Sequence, residues 1–191
     1  INMNAYKPRI YQKNCLDALQ SARDQGKSKA LVVMASGLGK TLTGAFDVRE
    51  FLKKARNGRV LILCHSVAIL SQTKETFRSI FGDGYSYGVY NGWEKAKDRT
   101  DFLFASLQSV NLHTDEFESD EFSYIIVDEA HHSPAVTYRK AIEYFRPHFL
   151  LGMTATPDRM DDAVDIRVQD STLYLYGRSF VDEDRKSTRL N

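Results

Sequence analysis

Cysteine is scarce in this chain of 191 residues, which has only Cys15 and Cys64. Two cysteines cannot form a disulfide framework. Cys64 falls in an apolar strand pattern and Cys15 on the apolar stripe of a helix pattern, so both read as reduced core residues. Also missing is any stretch approaching the roughly 20 apolar residues of a membrane span, and the N-terminal residues lack a signal-peptide pattern. The expectation is a cytoplasmic protein with no membrane contact. The chain holds no internal repeat and no low-complexity tract. A net charge of +1 names no partner by itself. Its distribution says more: residues 1–60 carry 12 Lys/Arg against 4 Asp/Glu, whereas 115–129 carries seven carboxylates and no basic residue. A basic first third can serve phosphates, of nucleotide or nucleic acid, or can simply be a solvated helix face.

What is present is an ordinary globular composition, 42% hydrophobic and 27% charged, on a length that suffices for one domain with a real core. Nearly all-apolar runs alternate with helical patterns. Strands are expected at 30–34, 60–64, 85–90, 102–105, 122–127 and 149–153. Tyr11, Cys15, Ala18 and Ala22 mark a helix after Pro8. Val48, Phe51, Leu52 and Ala55 mark one over 40–55, stopped at Asn57-Gly58. Leu70, Thr73, Phe77 and Ile80 mark the next, and Pro134 opens another. Such strands belong to a parallel sheet with helices on both faces, an α/β three-layer fold. Ligands of such sheets bind at the carboxyl ends of the strands. Every chemically suggestive segment falls there: 36–41, 65–66, 106–109, 128–131 and 154–156.

Two of these segments carry specific chemistry. Gly37-Leu38-Gly39-Lys40-Thr41 follows the apolar run Ala30–Met34. Glycines let backbone N–H groups approach phosphate oxygens, a helix N-terminus adds favourable field, Lys40 neutralises phosphate charge, and Thr41 can ligate magnesium. The usual pattern begins with a glycine where this chain has Met34. Asp128-Glu129-Ala130-His131 follows Tyr124–Val127. Asp128 is placed to hold magnesium through water, and Glu129 to orient and deprotonate an attacking water. An acidic pair at a strand end can instead cap a helix; the upstream lysine loop favours the catalytic role. His131 and His132 have no Cys/His cluster that would make them metal ligands. His131 is expected to hydrogen-bond a neighbouring loop through Thr154 or Thr156.

These motifs, in this order, resemble the first RecA-like domain of the superfamily 2 DEAD/DEAH-box helicases and translocases, and most of all the helicase subunits of type III and type I restriction enzymes. The similarity runs from about residue 6 to 160. It rests on MASGLGKT (34–41), LCHSVAILSQ (63–72), FASLQSV (104–110), VDEAHHS (127–133), GMTATPDR (152–159) and PRIYQ (8–12). The resemblance implies a nucleic-acid-dependent ATPase that uses ATP and Mg2+, with DNA favoured over RNA. It implies that Arg9 and Gln12 contact adenine, and that Ser36, Gly37, Leu38, Gly39, Lys40 and Thr41 hold phosphates and magnesium. Asp128 and Glu129 would carry out hydrolysis, and Thr154 and Thr156 would couple nucleotide state to movement through His131. Ser66, Gln72, Ser106 and Gln108 would lie along one nucleic-acid strand. Short polar side chains there would grip backbone phosphate, so little sequence preference is expected.

The resemblance also implies a second RecA-like domain that supplies an arginine finger. Residues 160–191 are too short to be one, so 1–161 is expected to be the ATP-binding half of a two-domain motor, weak in hydrolysis and unable to unwind duplexes alone. Residues 162–191 are expected to be a non-family tail: Thr172–Phe180 alternates as an edge strand would, and Arg185–Asn191 looks like vector-derived sequence. Two other readings remain open. One is the motor half of a restriction-endonuclease subunit. The other is a nucleotide- or nucleic-acid-binding module that signals rather than moves.

Overall fold

A computed structural model of the chain describes residues 6–55, 58–96, 99–128, 135–155 and 172–176. Seven strands form one sheet: β1 (Lys29–Val33), β2 (Val60–Cys64), β3 (Tyr87–Tyr90), β4 (Phe102–Ser106), β5 (Tyr124–Asp128), β6 (Phe149–Thr154) and β7 (Thr172–Tyr176). Their spatial order is β3-β4-β2-β5-β6-β1-β7, and every pairing is parallel. Among the described residues five helices accompany them: α1 (Ile10–Asp24), α2 (Lys40–Lys54), α3 (Val67–Phe81), α4 (Leu107–Leu112) and α5 (Ala135–Tyr144), with a 3-10 turn at Thr114–Glu116. This is the parallel, doubly covered sheet that the apolar runs imply.

The period of two along each strand sorts its side chains between two cores. Val60, Ile62, Tyr124, Ile126, Phe149 and Leu151 pack with α1, α2 and α3. Leu61, Leu63, Ile125, Val127 and Leu150 pack with α4 and α5. Both faces of β2, β4, β5 and β6 are buried, which is why these strands read as continuous apolar runs rather than as alternations.

The boundaries differ from expectation in ways that have physical causes. The acidic strand extends through Asp128, because Asp128 continues the ladder opposite Cys64 and Met153. Strand β3 begins only at Tyr87, since the preceding Ser86 is held by the Asp101 carboxylate through its amide and hydroxyl. On α1 the buried stripe is Tyr11, Gln12, Cys15, Leu19 and Ala22, with Leu19 rather than half-buried Ala18 filling the core. Asn57 and Pro134 lie outside the described residues. Cys15 and Cys64 are free and buried. Burial, and then the nearby Asp47 and Asp128 charges, push both thiols up to about 12. Neutral thiols of this kind are inert core groups at physiological pH. Among the described residues, no helix is long and apolar enough to cross a membrane.

Candidate nucleotide site

The loop between β1 and α2 is built from three local constraints. Met34 continues the ladder, its amide donating to the Thr154 carbonyl at 2.9 Å, and its side chain is buried in the core with the Thr43 hydroxyl 3.9 Å from its sulfur. That position therefore serves packing beneath the loop, which accounts for a residue other than glycine there. Gly37 and Gly39 then take left-handed conformations, φ 84° and 79°. Gly39 stands immediately before α2, and its carbonyl accepts from the amide of Thr43 at 2.9 Å and its hydroxyl at 3.0 Å. Ser36 and Gly37 are exposed, and Leu38, Gly39 and Thr41 are half-buried. Lys40, the first helical residue, is largely buried. Exposed loop amides beside a helix N-terminus suit an anion.

Helix α1 braces this loop from the side. The Tyr11 hydroxyl donates to the Leu38 carbonyl at 3.0 Å, and the buried Gln12 amide reaches the Leu38 and Gly39 carbonyls, each at 3.4 Å. The other end of the same Gln12 side chain accepts from the Arg9 amide at 2.9 Å, which satisfies one of the free N–H groups at the start of α1. Gln12 is thus held between its own helix cap and the glycine loop, while Arg9 is exposed.

A methyl group at Gly39 would lie 2.9 Å from the Gln12 amide nitrogen, in a backbone region that disfavours side chains. Gly39→Ala is expected to destabilise the protein by about 1–2 kcal/mol from the left-handed backbone alone, with the clash adding to it. Combining it with Gln12→Ala should recover the clash but not the backbone strain. Urea melts of the two single variants and the double variant check this; strictly additive losses would rule out the contact.

Asp128 and Thr154 stand at the same carboxyl edge. Asp128 ends β5 on the face shared by Tyr124 and Ile126, which lies under α2, and it is buried. Its charge reaches Cys64, level with it on β2. Thr154 ends β6, buried, in register with Val33 just before the loop. With β6 alone between β5 and β1, Asp128 and the phosphate-loop strand stand about 10 Å apart laterally. Glu129, His131 and Thr156 lie outside the described residues.

The residues expected along a nucleic-acid strand separate. Ser66 is half-buried just before α3, and Gln108 is exposed on α4. Gln72 lines a cleft of about 230 Å³ together with Gly39, Thr41 and Ile69, so it stands beside the glycine loop. Ser106 has a structural contact of its own: its hydroxyl is buried, accepts from the Ser109 amide at 3.2 Å and bonds the Ser109 hydroxyl at 2.7 Å, so it caps α4. A serine before a short helix was the available signal, since Ser is a favoured N-cap.

Sequence reasoning missed two contributors. Tyr11 braces the loop, and a tyrosine on a helical stripe reads as core. Asp47 on α2 is fully buried between Arg23 of α1 and Tyr124 of β5, tying the phosphate-loop helix to its neighbours.

The sequence pattern that defines the family described as "Type III restriction enzyme, res subunit" matches residues 5–159. The putative ATP-dependent helicase IRC3 of Saccharomyces cerevisiae is 27% identical over 180 residues, covering 88% of this chain and 26% of that protein. The type I restriction enzyme EcoAI endonuclease subunit of Escherichia coli is also 27% identical, over 176 residues, covering 88% and 22%. The chain thus spans about a quarter of the length of these relatives. Among solved structures, the Pyrococcus furiosus Hef helicase domain superposes with a TM-score of 0.69 at 22% identity, over 88% of this chain and 38% of that one. The UvsW helicase of bacteriophage T4 superposes with a TM-score of 0.70 at 18% identity, over 90% and 60%. The parallel sheet, the glycine loop ahead of α2 and the acid that ends β5 are thus the features of a RecA-like, helicase-type ATP-binding domain, and the chain belongs to the type III restriction enzyme res subunit family.

Proposed function

We propose that this chain binds Mg-ATP at the carboxyl edge of β1, β6 and β5 and, as part of a motor, couples its hydrolysis to movement along nucleic acid, DNA in preference to RNA. One observation carries the reading. A loop with two left-handed glycines opens onto the N-terminus of α2, and Asp128 sits on the same face of the sheet. Phosphates would lie against the loop amides and Lys40. The donor set fits magnesium: the Thr41 hydroxyl and the Asp128 carboxylate are hard oxygens, and two protein ligands leave room for water and phosphate oxygens. Among the described residues no group of three or more His, Cys, Asp or Glu could form a metal cage, and an ion brought in with its nucleotide needs none.

Magnesium, when bound, neutralises charge on the terminal phosphates. Glu129, next in sequence after Asp128, is assigned the proton from the attacking water. Arg9 and Gln12 flank the adenine side, with Gln12 linking that side to the loop. Thr154, Thr156 and His131 are assigned to transmit nucleotide state. Ser66 and Gln108 are assigned to phosphates of a bound strand. The restriction-enzyme relatives favour a motor coupled to a nuclease elsewhere in the parent protein.

Glu129→Gln tests the chemistry. It should bind ATP as the parent does and lower turnover by about 10²–10⁴-fold in the presence of single-stranded DNA. Phosphate release and nucleotide titration report the two quantities separately. Turnover at the parental rate would remove Glu129 from the base role.

A further inference from the structure

The chain contains one tryptophan, and Trp93 is 94% exposed. It is not on a loose loop. After β3 the chain turns back on itself: Tyr90 pairs antiparallel with Lys95, the Asn91 amide donates to the Glu94 carbonyl at 2.7 Å, and the Ala96 amide donates to the Val89 carbonyl at 2.9 Å. The buried Asn91 side chain then accepts from the Trp93 and Glu94 amides, both at 2.8 Å, which fixes the backbone at the tip. The base of the turn is anchored as well. Glu116 accepts from the Tyr90 hydroxyl and the Lys95 ammonium, each at 2.6 Å. A large planar side chain is therefore held out into solvent on a mount that has already lost its backbone freedom.

Its position says what it can meet. Tyr90 is level with Ala105 on β4, and Ser106 is level with Cys64 on β2. Trp93 and Ser66 thus follow the carboxyl ends of β3 and β2, two strands about 10 Å apart with β4 alone between them. One strand lying across that edge can place a phosphate at Ser66 and a base at Trp93. The sequence neighbours Gly92 and Glu94 are exposed and not apolar, so the indole is not flanked along the turn by further apolar side chains. Lys95 is paired with Glu116. An exposed π-face suits stacking on an unpaired base.

We propose that Trp93 is a stacking platform for an unpaired base of the nucleic-acid strand that crosses the carboxyl edge of the sheet. The proposal rests on the nucleic-acid reading above and adds its point of contact. Because Trp93 is the sole tryptophan, its emission reports on this site alone. The 191-residue chain is titrated with a fluorescein-labelled, about 20-nucleotide single strand, following anisotropy and tryptophan emission separately, and with the matching duplex.

The expected result is quenching that tracks the anisotropy rise with the single strand and little quenching with the duplex. Trp93→Ala should weaken binding about tenfold, and Trp93→Phe should recover part of the loss. The tenfold factor should persist as salt is raised, since stacking releases no counterions, while overall affinity falls. A strand that binds with silent tryptophan emission, and equally well to Trp93→Ala, overturns the platform and leaves the nucleic-acid reading standing. Equal quenching by the duplex overturns the unpaired base. No anisotropy change with any strand overturns the nucleic-acid reading itself, and the platform with it.

Discussion

Asp47→Ala is expected to cost about 3–5 kcal/mol, the penalty for leaving a buried charge without its partner. Asp47 is 0% exposed in the middle of α2. Its two carboxylate oxygens accept from the Arg23 guanidinium at 2.7 and 2.9 Å, and one also accepts from the Tyr124 hydroxyl. Arg23 itself lies over the Phe149 ring, 4.8 Å from its centroid, so its charge is held against apolar surface. Burial alone lowers the tendency of Arg23 to hold its proton, but the Asp47 hydrogen bond and charge outweigh it and raise its pKa. Burial, with the Asp47 charge next, pushes the Tyr124 hydroxyl well above the usual phenol range, so it stays a donor. Alanine at 47 removes the acceptor shared by the Arg23 guanidinium and the Tyr124 hydroxyl, leaving the guanidinium its bond to Gln20 Oε1 at 3.2 Å. A loss of 3–5 kcal/mol is a large share of the roughly 5–15 kcal/mol that holds a domain together. Replacing Arg23, Asp47 and Tyr124 together with Met, Leu and Phe should restore most of the stability, because an apolar cluster of similar volume needs no pairing. Urea midpoints decide it; a shift under 0.5 kcal/mol for Asp47→Ala would show that the triad carries little energy.

Lys40→Ala is expected to remove measurable ATP binding while leaving the fold intact. Hydrogen bonds to charged groups contribute about 1.5–3 kcal/mol, and a lysine that meets two phosphates at a largely buried position should lie at or beyond the top of that range, more than about 100-fold in affinity. Alanine is a strong helix former at the first position of α2, so the thermal midpoint without nucleotide should change little. The parent protein should gain stability on adding Mg-ATP, by mass action, and the variant should not. Titration with a fluorescent ATP analogue gives the affinity directly. Parental affinity in Lys40→Ala would refute the phosphate-loop assignment.

The two variants probe parts of the molecule that differ in how readily the chain reveals them. The strands were legible because burial on both faces turns Val60–Cys64 and Tyr124–Val127 into unbroken apolar runs. The edge position of Gly37, Gly39, Lys40 and Asp128 was legible because each segment directly follows such a run. Asp47 was not. Its partners lie 24 and 77 residues away in sequence, and a lone aspartate within a helix looks like solvated surface. Helix α4, with six residues, is too short to show a helical period, so Ser106 read as a polar strand-edge residue and not as a cap. On α1, Tyr11, Cys15 and Leu19 recur at i, i+4 and i+8, so Leu19 continues the buried stripe and Ala18 sits one position off it.

The position of β1 inside the sheet has a consequence for how the protein is made. Lys29 of β1 pairs with Leu150 of β6 and with Thr172 of β7, so the strand that launches the phosphate loop is translated early and finds its neighbours late. While the ribosome is extending the middle of the chain, β2, β4 and β5 can already pair with one another. The glycine loop meanwhile has no ladder to hang from. Nucleotide should therefore engage nascent chains only once the region near Thr154 has left the exit tunnel, and ATP would act late in synthesis as a ligand that locks the last strands in place.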